Sequence, residues 1–213
     1  MNDQPRSIFL SSSIPNEAYQ EVHGEIDPLE ITAAVVAVVR GALMSGTTIV
    51  TATHPTIAPL ILYVAEETRG LPGAAVPPAI VYQSLLFRPV MPAETMRLAT
   101  EAGAELIWTP AAPGDRPERG FWDRSLEVMR NQMLRHPSIV GAVFIGGMEG
   151  IEQEHALFRE LRPGLPVFAF AAPGGQAGAL VDASHSDARE QLRVSRVYPA
   201  VFRTIAAILG LPL

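Results

Sequence analysis

The sequence predicts an α/β fold: a Rossmann-like, doubly wound, mostly parallel six-stranded sheet with helices on both faces. Three observations carry this. Short apolar runs alternate with longer segments of helical character along the chain, and the short runs are near-continuously apolar, as strands covered on both faces must be. A hydrophobic content of 48% supplies a sizeable core, and 17 glycines with 19 prolines supply frequent turns. At 213 residues, with no break long enough to be a linker, residues 1–213 read as a single domain.

The first strand is Ser7 to Ser11, a buried run ending in small hydroxyl residues, and a polar loop follows from Ser12 to Asp27. Asp27-Pro28 is an N-cap with proline at the first helical position, so a helix runs from Leu29 to Met44 and ends at Gly46. Thr48 to Thr51 is the second strand, and Thr53-His54-Pro55-Thr56 turns into a helix from Ile57 to about Thr68. A Gly/Pro-rich turn from Gly70 to Pro78 precedes the third strand, Ala79 to Gln83, and a helix from Pro92 to Ala102 ends at Gly103. Leu106 to Thr109 is the fourth strand, Pro110 to Gly120 a polar loop, and Phe121 to Arg135 a helix. The fifth and most apolar strand, Val140 to Ile145, leads into a helix from Ile151 to Leu161. The sixth strand, Val167 to Phe170, is followed by a short helix near Ala177 to Ala183 and a last helix from Pro199 to Leu209.

Composition excludes several chemistries. The net charge is −6, and without a basic run the chain has no footprint for nucleic acid. All 16 cationic residues are arginine, so there is no phosphate-loop lysine, no Schiff base and no pyridoxal-phosphate anchor. No cysteine means no disulfide, thiolate nucleophile or thiolate-ligated metal. No cofactor and no metal site is expected: Glu152 and His155 have the spacing of a metal-ligating pair, but a di-iron bundle needs a second pair. The polar start, Met1 to Arg6, is unlike a signal peptide, and the longest uncharged stretch, Gly41 to Ala65, is too rich in threonine and proline to span a membrane. A cytoplasmic protein with no membrane partner is the expectation.

In a doubly wound sheet ligands sit at the carboxyl ends of strands. The candidates there are Ser11, Ser12 and Ser13 after the first strand, His54 and Pro55 after the second, Gln83 with Arg88 after the third, and Arg116 in the loop after the fourth. After the fifth come Gly146, Gly147, Met148, Glu149 and Gly150, with Glu154 one turn into the helix, and after the sixth come Gly174 and Gly175. Glycines allow an anion close to the backbone at a helix start, and they equally make tight turns. The arginines could grip a phosphate bidentately or lie on the surface. Trp108 and Trp122 read as packing rather than as stacking platforms.

The run Ile8 to Pro15, Asp27-Pro28 with Ile31, His54 to Leu60, Phe144 to Gly150 with Glu154, and Gly174-Gly175 together resemble the SLOG superfamily in order and spacing, over nearly the whole chain. The resemblance is in particular to the bacterial SLOG group with a Gly-Gly-Met-Glu-Gly motif. SLOG proteins are Rossmann-like relatives of the LONELY GUY phosphoribohydrolases, of DNA-processing protein A and of the sensor domain of TRPM channels. The resemblance implies binding of a nucleotide-derived small molecule, of the cyclic ADP-ribose type or another nucleotide, in bacterial signalling or antiphage defence, with a separate effector protein as a further partner. The phosphoribohydrolase pattern Pro-Gly-Gly-x-Gly-Thr-x-x-Glu is met by Gly146, Gly147, Gly150 and Glu154 with one extra residue, while Ile145 replaces the proline and Ile151 the threonine. Loss of that hydroxyl favours a binding module, and the alternative is an N-glycosidic hydrolase with Glu154 as its catalytic group. A structural partner protein that binds no nucleotide is the third reading. The apolar helices Leu29 to Met44 and Pro199 to Leu209 exceed what one layer covers, so a homodimer or higher homo-oligomer is expected.

Overall fold

Among the described residues, six strands form one sheet: β1 (Ser7–Ser13), β2 (Thr48–Ala52), β3 (Ala79–Ser84), β4 (Glu105–Thr109), β5 (Ile139–Gly146) and β6 (Val167–Phe170). They lie in the order β4-β3-β2-β1-β5-β6, and every adjacent pair is parallel. The computed structural model describes residues 5–19, 26–118 and 120–212. Residues 1–4, 20–25 and 119, which belong to the polar start and to the loops read from Ser12 to Asp27 and from Pro110 to Gly120, lie outside the described residues, as does Leu213. Helices connect and flank the strands: α1 (Pro28–Met44), α2 (Ala58–Thr68), α3 (Ala93–Ala102), α4 (Asp123–Leu134), α5 (Glu149–Leu161), α6 (Ser186–Val194) and α7 (Tyr198–Leu209).

Side chains alternate across the pleat and so build two cores. Ile8, Leu10, Ile49, Val81, Val143 and Ile145 face the layer containing α1, α2 and α7. Phe9, Val50, Ile80, Ala142 and Phe144 face α4 and α5, where Met129, Met133 and Phe158 meet them. The chain walks outward from β1 through β2 and β3 to β4, then returns to β5 on the other side of β1. That reversal opens a crevice at the carboxyl ends of the strands beside β1, which is where such sheets bind ligands.

Four elements depart from the sequence reading. Ser12 and Ser13 belong to β1 rather than to a loop, because β5 runs to Gly146 and extends the ladder opposite them. The segment after the sixth strand is a 3-10 helix over Gln176–Ala183, and a second 3-10 helix, Leu85–Val90, follows β3. Helix α6 carries no periodic apolar stripe long enough to read, since Ala188 and Leu192 are the only residues it buries.

Helix α1 starts where Asp27 accepts hydrogen bonds from the Leu29 and Glu30 N–H groups at 2.9 and 3.1 Å. A cap of this kind contributes about 1 kcal/mol. The helix buries Ile31, Val35, Val38 and Val39 but leaves Leu29 81% and Met44 46% exposed. Between α1 and α7 runs a groove of about 700 Å³ lined by Val36, Ala37, Met44, Pro199 and Phe202 with Arg40 and Arg203. This is the apolar surface from which the sequence reading expects self-association.

Candidate functional site

A cavity of about 620 Å³ lies over the carboxyl ends of β1, β2 and β3, within the 300 to 1,000 Å³ usual for ligand pockets. Ser11, Ser12 and Ser13 form part of its wall, and all three are buried. Thr53, His54 and Pro55 come from the end of β2, and Gln83 from β3. The opposite side is made by Phe87, Trp122 and the α4 residues Leu126, Met129 and Arg130. The first turns of α5 close it with Met148, Glu149, Gly150, Ile151, Gln153 and Glu154.

Glu154 is the centre of a polar cluster. The Ser11 hydroxyl donates to its Oε2 at 2.6 Å, and the Arg130 Nε donates to its Oε1 at 3.2 Å. Arg130 also donates through Nη1 to Gln153 Oε1 at 2.7 Å. The two ion-pair side chains are 18% and 13% exposed, so the charges are largely withdrawn from water and depend on each other. Ser12 adds a buried hydroxyl that has no hydrogen-bond partner among the described residues. Such an oxygen costs free energy unless something fills the space beside it. Helix α5 opens at Met148 with no side-chain cap, leaving its first N–H groups to water or a ligand.

Gln83 donates its amide to the Thr53 hydroxyl and accepts the Ser84 N–H at 2.8 Å, which fixes it in the wall. His54 Nδ1 lies 2.9 Å from the Thr56 hydroxyl, and burial pushes its pKa below the ordinary 6.5. Burial also lowers His136 and His155. Each of these imidazoles takes up its proton more readily in the unfolded chain, so folding stability is full above about pH 6.5 and falls as pH drops through the lower native values. The expected result is a melting temperature that declines from pH 7 to pH 5, and a flat profile over that window would contradict it.

The structure does not bring every candidate to the cavity. Gly146 and Gly147 are buried beneath it: a Cβ on Gly146 would stand 2.6 Å from Ile31 Cδ1 and 2.9 Å from the Ser13 carbonyl oxygen. The Gly147 N–H donates to the Ser13 carbonyl at 2.8 Å, and the Gly147 carbonyl accepts the Gln176 N–H at 3.0 Å. Gly175, at φ 78° and ψ −178°, packs its Cα against the backbone of Gly146, and Gly174 precedes it outside the cavity wall. These glycines allow close packing of two turns, while Gly150 is the glycine that faces the cavity. Arg88 and Arg116 also lie outside: the first sits 5.9 Å over the Trp108 ring, and the second 4.4 Å over Phe121 and 3.8 Å from Glu118.

Polar and aromatic wall residues that the sequence reading did not name as ligand candidates include Arg130, Phe87, Thr53, Asp123 and Gln153, and Trp122 was read as packing. Arg130 carried one signal: it interrupts the apolar stripe of Leu126, Met129 and Met133 on α4. Of the spaced pair on α5, Glu152 accepts from Gln176 and the His155 ring packs edge-on against Phe144 at 5.3 Å. Among the described residues no group of three or more His, Asp and Glu side chains could hold a metal ion, and no helix is long and apolar enough to cross a membrane.

A search of curated proteins finds no match to this chain. Residues 21–205, which hold every element from α1 to most of α7 and the cavity walls beyond β1, match the model of the SLOG cluster3 family, and the chain belongs to that family.

Proposed function

We propose that the chain binds a nucleotide-derived small molecule in the cavity over β1, β2 and β3, and acts as a ligand-sensing module whose output is taken by a separate effector protein. The observation that carries this reading is the cavity itself, set at the chain reversal and walled by the Ser11–Glu154–Arg130 cluster and the uncapped start of α5. The unpartnered Ser12 hydroxyl supports it. Charge narrows the ligand class. One cation, Arg130, stands in the wall beside three carboxylates, Asp123, Glu149 and Glu154, so a nucleotide of low negative charge fits better than a triphosphate.

A hydrolytic reading draws on one observation, the carboxylate of Glu154 beside Arg130 in the cavity wall, where it could stabilise a sugar cation as an N-glycosidic bond breaks. Both oxygens of Glu154 already accept hydrogen bonds, which suits a fixed anion better than a proton donor. Calorimetry with nucleoside monophosphates and triphosphates, together with chromatography for released base, separates the readings. A sensor binds the monophosphate more tightly, releases no base, and keeps its affinity within roughly tenfold in Glu154→Gln. Turnover that falls on the order of a hundredfold in Glu154→Gln would install the enzyme instead. Absence of binding by any nucleotide at millimolar concentration would end both.

A further inference from the structure

We infer that Trp122 and Phe87 form an aromatic seat for a planar ring of the ligand, at the end of the cavity remote from α5; this rests on the nucleotide reading above and names where the base lies. Phe87 comes from the 3-10 segment after β3, and Trp122 stands at the N-cap of α4. Helix α5 starts at the end of β5, three strands away across the sheet, so the two ends of the site are roughly 14 Å apart. A ligand spanning the cavity therefore presents one end to α5 and the Ser11–Glu154–Arg130 cluster, and the other to the two rings.

The rings do not behave as core. Phe9, Phe144, Phe158, Phe168 and Phe170 are all below 2% exposed, whereas Phe87 and Trp122 are only half-buried and stand in the cavity wall. Their centroids are 5.4 Å apart with planes at 60°, a tilted contact that leaves the rings without face-to-face stacking on each other. Phe87 also borders a side cavity of about 130 Å³, and Thr53, His54 and Gln83 border both spaces. An aromatic surface with a polar edge beside it is what a nucleobase requires: its face stacks and its rim meets hydrogen-bonding groups. The Gln83 amide and the His54 ring are held by Thr53 and Thr56 and so present a fixed edge.

Tryptophan emission tests the seat directly, because the chain has two tryptophans and Trp108 lies outside the cavity against Arg88. In Trp108→Phe, a nucleoside monophosphate should quench Trp122 saturably, while ribose 5-phosphate, which has no base, should not. Trp122→Leu and Phe87→Leu should each weaken binding of the nucleotide about tenfold and leave that of ribose 5-phosphate unchanged. If calorimetry finds the nucleotide bound but the emission is constant and both leucine variants keep full affinity, the seat is wrong and the nucleotide reading stands. Equal losses for both probes would also overturn it, since a distorted pocket would explain them. If neither probe binds the unmodified protein, the nucleotide reading falls and the seat falls with it.

Discussion

Replacing Gly175 with alanine should lower the melting temperature by roughly 6 to 12 °C, and circular dichroism will read it. Gly175 holds φ 78° and ψ −178°, a region in which L residues are essentially absent and whose strain costs of order 1 to 3 kcal/mol. The added Cβ would also stand 2.6 Å from the carbonyl carbon of Gly146 and 2.8 Å from its Cα and oxygen. Those are backbone atoms, and Gly146 is itself held in the ladder opposite Ser13, so no side chain can rotate away. Strain and overlap together give about 3 kcal/mol or more, and a domain of this size loses about 2 to 4 °C per kcal/mol. An unchanged melting temperature would show that the two turns do not pack as described. Gly147→Asp is strained for a different reason: at φ 77° its Cβ would stand 2.0 Å from Ile151 Cδ1 and 2.5 Å from its Cγ1, so loss of binding in that variant would report a damaged fold rather than a phosphate contact.

The second large effect is expected at Arg130. Arg130→Met leaves Glu154, 13% exposed, with the Ser11 hydroxyl as its remaining donor, and should cost about 2 kcal/mol. Water in the cavity keeps this below the value for a fully buried orphan charge. Glu154→Gln alone should cost less, since the amide can still accept from Ser11. In the double variant the penalty should shrink to below the sum of the two by about 1 kcal/mol, because no carboxylate then remains without its partner. Strict additivity in urea unfolding would mean that the pair is uncoupled and that the cluster does not hold the site together.

Much of the sheet was legible because punctuation and periodicity agreed. Val167 to Phe170 is bounded by Pro166 on one side and Pro173-Gly174-Gly175 on the other, and β6 occupies those four residues. Asp27-Pro28 marked the start of α1 for a local reason, a side chain capping the next two N–H groups. Ser12 and Ser13 misled because serine favours turns, and only pairing with Ile145 and Gly146, far along the chain, makes them strand. The site divides in the same way. Strand-end residues such as Ser11, His54 and Gln83 follow from topology, whereas Arg130 and Trp122 reach the cavity through the packing of α4; the break that Arg130 makes in the apolar stripe does not say what it faces. For Gly146, Gly147 and Gly175, spacing signalled a close approach and left open what approaches; the structure places Ile31 with the Ser13 carbonyl at the first, the Ile151 side chain at the second and the Gly146 backbone at the third.

The strand order has a consequence for how the chain must be made. Among the described strands β1 comes first in the chain, and it lies between β2 and β5. Strands β2, β3 and β4 follow in sequence on one edge of β1, each next to its predecessor. The other edge of β1, from Ser7 to Ser13, waits for Ile139 to Gly146. Until those residues are in place, the seven-residue edge of β1, apolar only at Ile8, Phe9 and Leu10, has open N–H and carbonyl groups, a template for pairing with a second copy. Slow elongation before residue 139 should accordingly favour aggregation, and the late closure of β1 on β5 makes this long-range pairing the step that commits the chain to its native form.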